Sequence, residues 1–156
     1  WLAERWAALA DALSEEYGLT PVLAGGRSER EYATEHAILH TARCTVASTV
    51  GVPLRELVAL IDGSALVISL DTAPLHMAVA LGRPVVSLLG YTNPKRTGPY
   101  RRFHDLMIDA YGDPGEDYPI SMENRPDRMQ RISVRDVLDR VERWRNDYAD
   151  ATIPVI

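Results

Sequence analysis

The chain reads as an α/β protein: a parallel sheet with helices on both faces. Short apolar runs alternate with amphipathic helical stripes along its length, the pattern of strands joined by crossover helices. The clearest stretch runs from Leu66 to Pro99, with a strand (Leu66, Val67, Ile68), a polar switch from Ser69 to Ala73, a helix with Pro74 near its start, and a second strand, Val85 to Leu89. With 156 residues, 46% of them hydrophobic, the chain can bury one proper core, so residues 1–156 are expected to form a single domain.

Each element has a local reason. Leu2, Trp6, Leu9 and Leu13 recur at helical spacing, and Gly18 suits a left-handed cap after Tyr17. Pro21 to Ala24 reads as a strand running into Gly25-Gly26, after which Ser28 caps a helix from about Glu29 to Thr41. Cys44 to Ala47 reads as the next strand, and Leu54, Leu57, Val58 and Ile61 as a helical stripe. Pro74 suits the first helical position, where a missing N–H loses nothing, and Leu75, Val79 and Leu81 form that helix's apolar stripe. Gly82 then stops the helix and Pro84 prevents its resumption. Leu106 to Ile108 adds a short strand. Asp109 to Gln130, rich in Pro, Gly and charge, reads as an irregular surface loop. Ser133 and Asp136 form a capping box ahead of a last helix carrying Val134, Val137, Leu138, Val141 and Trp144.

Composition narrows the function classes. A formal net charge of -5 with no basic tail argues against a nucleic-acid partner, which needs a basic stripe. Cys44, the single cysteine, excludes an internal disulfide framework and fits a reducing compartment. No apolar run is long enough to span a bilayer, and no signal peptide opens the chain. Because it opens on Trp1 rather than Met, the chain is expected to be a fragment or domain of something longer.

The chemistry points to a phosphate. Free N–H groups at the start of the Pro74 helix, backed by the positive end of the helix dipole, make an anion site at the carboxyl edge of a parallel sheet. Thr72 and the Ala73 amide are the best phosphate contacts there, with Asp71 placed to orient the turn, to bond a sugar hydroxyl, or simply to cap the helix. His76, at about the third helical position, is placed to donate to the same anion. Gly25 and Gly26 permit a tight turn, and an acid after such a turn accepts hydrogen bonds from ribose hydroxyls. Thr92 and Lys95 lie in the loop after Val85 to Leu89, at the same edge, and Lys95 is a candidate to neutralise phosphate charge. His36, His40 and Cys44 fall at four-residue steps, but Cys44 is expected beyond the helix, so no metal site is assigned. Asp109, Asp113, Glu116 and Asp117 lack the alternating ligands of a calcium loop.

Asp71-Thr72-Ala73-Pro74-Leu75-His76-Met77-Ala78-Val79-Ala80-Leu81-Gly82-Arg83-Pro84, followed by Gly90-Tyr91-Thr92-Asn93-Pro94 and Thr97-Gly98-Pro99, resembles the signature of family 9 glycosyltransferases, the heptosyltransferases of lipopolysaccharide core assembly. Ala73 stands where the family commonly has glycine. Further anchors are Gly25-Gly26 with Glu29, Leu54 to Ser69, and Met129 through Ile132 and Ser133 to Val137.

The resemblance implies one half of a GT-B enzyme, two Rossmann-like domains facing across a cleft, with this chain as the carboxyl-terminal, donor-nucleotide half. It implies an inverting, metal-independent glycosyltransferase without cofactor, using a nucleotide-sugar donor, ADP-heptose foremost, and a saccharide or lipid-linked acceptor. Glu29, with Glu31 as alternate, becomes the candidate ribose contact, and the Val52 backbone the candidate contact to adenine. Gly26, Asp71, Thr72, Ala73, His76, Thr92 and Lys95 complete the donor set. The family's domain normally begins with a strand and a lysine-bearing loop ahead of the Trp1 helix, and its general base lies in the acceptor half, so no catalytic base is assigned here. A cytoplasmic location, peripheral to the inner membrane through the acceptor half, is expected. A nucleotide-sugar epimerase of similar shape and a noncatalytic nucleotide-binding module are the alternatives.

Overall fold

A computed structural model describes residues 1–149. Two units divide the chain, Trp1–Ala59 and Leu60–Ile156. The first holds α1 (Ala3–Tyr17), β1 (Val22–Leu23), α2 (Glu29–Thr41) and β2 (Ala47–Ser48); α3 (Leu54–Gly63) carries the boundary. The second holds β3 (Val67–Leu70), α4 (Ala73–Ala80), β4 (Val85–Leu89), the single turn α5 (Pro94–Thr97), β5 (Met107–Asp109) and α6 (Val134–Asp147), with 3-10 turns at His104–Leu106 and Arg128–Arg131. Among the described residues no helix is long and apolar enough to cross a membrane.

In the first unit β1 and β2 pair in parallel, Val22 with Ala47 and Leu23 with Ser48. The pairing runs on past these short strands, because Ala47, Thr49 and Gly51 donate their N–H groups to the carbonyls of Pro21, Leu23 and Gly25. α1 packs on α2 and buries Ala7, Leu9, Ala10 and Leu13, while Leu2 stays exposed ahead of the helix. Gly18 takes the left-handed conformation, φ 65°, that ends α1. Ser28 caps α2 in a full capping box with Glu31, a reciprocal bond that the sequence reading did not include.

The second strand is displaced from the expected Cys44 to Ala47. Asp11, buried on α1, accepts the N–H groups of Arg43 and Cys44 at 2.7 and 2.9 Å and holds that backbone in a turn, so pairing begins at Ala47. The Cys44 backbone bond is the main cause that draws the Asp11 carboxyl below its ordinary pKa, while burial and Asp11 push the Cys44 thiol up.

In the second unit the strand order is β3-β4-β5, all parallel, with Ser69 opposite Ser87 and Leu70 opposite Leu88. Successive residues of a strand face opposite sides, and all five residues of β4 are buried, so both faces of this central strand are covered. α4 packs on β3 and β4, and α6 on β4 and β5. Leu75, Ala78, Leu106, Val137, Val141 and Trp144 join β4 in the core. Edge strand β3 is only half-buried and runs to Leu70, so Ser69 belongs to the strand rather than to the switch after it. In α4 it is Leu75 and Ala78 that are buried, with Leu81 exposed; in α3 Ile61 is buried and Leu54 exposed. α4 ends in a Schellman motif, Gly82 at φ 70° donating to Val79 and Arg83 to Ala78.

Residues 110–131 are not a free surface loop. Tyr111 and Tyr118 are buried edge to face against each other, and the Tyr111 hydroxyl donates to the Glu123 carbonyl at 3.0 Å. Arg125 grips Glu116 through two 2.7 Å bonds and Arg128 and Arg131 both reach Asp113. The segment runs along the loop after β4. A side chain at Gly90 would meet the Arg128 and Met129 backbone at 2.9 Å, and the Arg125 N–H donates to the Tyr91 carbonyl.

Hydrogen bonds from Arg125 hold the Glu116 carboxyl down to about 2, and those from Arg128 and Arg131 hold Asp113 well below the carboxylate range. Both pKa values are lower folded than unfolded, so their stabilisation is full above about pH 4.5 and is lost as pH falls toward 2. Urea unfolding at stepped pH should show stability dropping through this window, and Glu116→Gln should flatten part of the slope. An unchanged slope in the variant would remove Glu116 from the account.

Candidate functional site

The parallel register sets the site. With Leu70 beside Leu88, the chain leaves β3 and β4 at the same edge, and the loops Asp71–Thr72 and Gly90–Asn93 emerge side by side. Thr92 donates its hydroxyl to Asp71 Oδ2. The other Asp71 oxygen lies 3.6 Å from His76 Nε2, and the Thr97 hydroxyl stands 3.3 Å from that of Thr92. Asp71, His76 and Thr92 are thereby brought together, with the Asp71 side chain 17% exposed and that of His76 53% exposed. Asp71 is therefore not the helix cap.

Thr72 is the cap residue, in extended conformation, and its side chain makes no capping bond. Ala73 follows as the first helical residue and Pro74 as the second, one position later than its fit to the helix start predicts; His76 is accordingly fourth rather than third. The Leu75 N–H turns back to the Thr72 carbonyl at 3.1 Å, and Pro74 has no N–H. Among the described residues the Ala73 N–H has no recorded acceptor, and Thr72 and Ala73 are exposed. The Thr72 hydroxyl makes only long contacts, 3.4 Å to the Leu70 carbonyl and 3.3 Å to Ser69 Oγ. A free amide, a loosely held hydroxyl and an imidazole one turn on thus stand at the positive end of α4, a donor set for an oxyanion.

Ser69 and Thr97 were missed as members of this cluster. Thr97 lies in a motif stretch, and only the fold brings it to Thr92. Lys95 is at the same loop, but its ammonium is bound 2.7 Å from both Asp117 and the Tyr118 carbonyl, and lies over the Tyr118 ring.

The remaining candidates lie in the first unit. The Gly26 N–H donates to Glu31 Oε1 at 2.6 Å, and the same carboxylate accepts the Ser28 N–H and hydroxyl. These bonds hold the Glu31 carboxyl below its ordinary pKa, Ser28 contributing most. Glu31, the alternate, is therefore the acid that sits over the glycine turn, while Glu29 is exposed in the first turn of α2. Val52 follows Gly51, whose φ of 82° turns the chain after β2, and its N–H donates to the Thr49 carbonyl. His36 and His40 stack at 5.3 Å on α2, and Cys44 lies beyond that helix.

Comparison with known proteins agrees with this architecture. A lipopolysaccharide core heptosyltransferase of Haemophilus influenzae is 28% identical over 153 residues, which is 92% of this chain and 44% of that protein. Among solved structures, a family 9 glycosyl transferase of Veillonella parvula superposes with a TM-score of 0.74 at 24% identity, covering 92% of this chain and 41% of that one. The Escherichia coli ADP-heptose lipopolysaccharide heptosyltransferase II gives a TM-score of 0.69 at 23% identity, covering 92% and 41%. These structures share the Rossmann-like α/β fold, and the chain spans less than half the length of each of these relatives. Residues 1–113 match the model of glycosyltransferase family 9, the heptosyltransferases, and the chain belongs to that family.

Proposed function

We propose that the chain is the donor-nucleotide domain, residues 1–156, of an inverting GT-B glycosyltransferase that transfers heptose from ADP-heptose to a lipopolysaccharide-type acceptor. The observation that carries this reading is the free Ala73 amide and loosely held Thr72 hydroxyl at the start of α4, with His76 one turn on, in the segment that bears the family signature. ADP-heptose stands in the name of one structural relative, and the lipopolysaccharide core in that of a sequence relative.

In such a transfer the leaving group is a nucleoside diphosphate whose negative charge grows as the glycosidic bond breaks. Donors already aimed at that position stabilise the transition state without reorganising. Ala73 and Thr72 hold a phosphate oxygen, and His76 donates to the oxygen that gains charge. Asp71, fixed by Thr92, orients the imidazole from behind. Gly26, Glu29 or Glu31, and Val52 keep their roles toward ribose and adenine on the family resemblance alone. The general base belongs to the acceptor half, which also supplies the acceptor site and a peripheral contact with the inner membrane from the cytoplasm.

Titrating ADP and UDP into the chain while following amide signals tests the placement. Thr72 and Ala73 should move, with ADP the tighter ligand and no requirement for magnesium or manganese. Shifts confined to residues 109–117, or an absolute dependence on a divalent metal, would contradict it.

In the full-length enzyme His76→Ala should mainly lower turnover, because a bond that strengthens as charge develops acts on the transition state. The expected loss is about 1.5–3 kcal/mol, roughly tenfold to a hundredfold in rate. Thr72→Val should weaken both donor binding and turnover. Wild-type rates in a folded His76→Ala enzyme would make His76 structural.

A further inference from the structure

Asn93 is a fully buried polar residue next to the site, at 0% exposure, and the diphosphate chemistry gives it no part. Its amide is committed on both sides. Oδ1 accepts the Lys95 N–H at 3.0 Å and caps α5, while Nδ2 donates to the Pro119 carbonyl at 2.8 Å and reaches Ser121 Oγ at 3.5 Å. Its own carbonyl accepts the N–H groups of Arg96 and Thr97 at 2.9 and 3.0 Å and the Thr97 hydroxyl at 3.3 Å.

These bonds join two segments. The loop after β4 is met in order by the 110–131 segment: Gly90 by the backbone at Arg128 and Met129, Tyr91 by the Arg125 N–H, Asn93 by Pro119 and Ser121, and Lys95 by Asp117 and Tyr118. The Lys95 to Asp117 pair is solvent-exposed and weak. The Asn93 bonds are part-buried and start from a fully buried amide, where leaving the donor unpaired is costly. Among the described residues the hydrogen bonds of Thr92, the residue before it, are those of its hydroxyl with Asp71 and Thr97, and Thr97 is itself held by the Asn93 carbonyl.

We propose that Asn93 is a positioning residue for the diphosphate site, acting through Thr92: by pinning residues 119–121 to the loop after β4, it sets Thr92 where it holds Asp71 and, through Asp71, the start of α4 and His76. The proposal rests on the reading of Thr72, Ala73 and His76 as the diphosphate site.

Asn93→Asp tests it. The variant keeps size and the acceptor for Lys95, but sets a carboxylate against the Pro119 carbonyl in place of a donor. In the absence of nucleotide, the amide signals of Asp71, Thr72 and Ala73, which lie about twenty residues away in sequence, should shift, and Thr92→Val should shift the same set. A core control, Val141→Ala, should lower thermal stability and leave those signals in place. ADP affinity in Asn93→Asp should fall by about tenfold or more, as expected for loss of a part-buried bond that orders a site. Should Asn93→Asp fail to fold, Ser121→Ala removes only the longer bond and should move the same signals less. Unchanged signals at Asp71 to Ala73 in a folded Asn93→Asp or Ser121→Ala chain would overturn the coupling. Wild-type chain that does not bind ADP would overturn the site itself, whatever the ligand-free spectra show.

Discussion

The in-register parallel pairing of β3 with β4 is the constraint on which the second unit turns. β4 is buried on both faces, so its position is fixed by the core and not by the loops it feeds. Once Leu70 is set beside Leu88, the chain must leave both strands at one edge, and Asp71 meets Thr92 as a consequence. The start of α4 is then presented at that edge with its amide dipoles pointing outward, the general location of ligand sites in open α/β sheets.

The electrostatics follow from the same placement. A carboxylate beside the positive end of a helix is favourable in itself, yet it would compete with an anionic ligand if it faced the same opening. Thr92 donates to one Asp71 oxygen and the His76 imidazole stands 3.6 Å from the other, so both carboxylate oxygens have a partner within the chain. In the first unit Glu31 closes over the Gly26 amide and the capping position of α2, which leaves that helix start already neutralised. The two helix starts thus differ: at α4 the Ala73 N–H and the Thr72 hydroxyl stand open, whereas at α2 the Glu31 carboxylate already accepts the Gly26 and Ser28 donors.

Features encoded within a few residues were legible in the sequence. Gly18 and Gly82 ended their helices in the left-handed conformation, Ser133 and Asp136 formed their capping box, and the alternation of strands and helices gave the parallel sheet. Features that depend on distant partners were not. The second strand starts late because Asp11, on another helix, takes the backbone of Arg43 and Cys44. Residues 110–131 carry the composition of a surface loop, yet buried tyrosines and arginine pairs tie them down over the signature loop. At the site, the residue types at the start of α4 were readable, whereas the bond from Thr92 to Asp71 and the commitment of Lys95 to Asp117 arise from the sheet register and the overlying segment.

The central claim is that the start of α4 holds the diphosphate of the donor. The most direct measurement is a crystal structure of the chain with ADP bound. The account predicts a phosphate oxygen within hydrogen-bond distance of the Ala73 N–H and the Thr72 hydroxyl, with the His76 imidazole turned toward the diphosphate and the Thr92 to Asp71 bond intact. An ordered ADP with its phosphates elsewhere, leaving Thr72, Ala73 and His76 without contact, would contradict it.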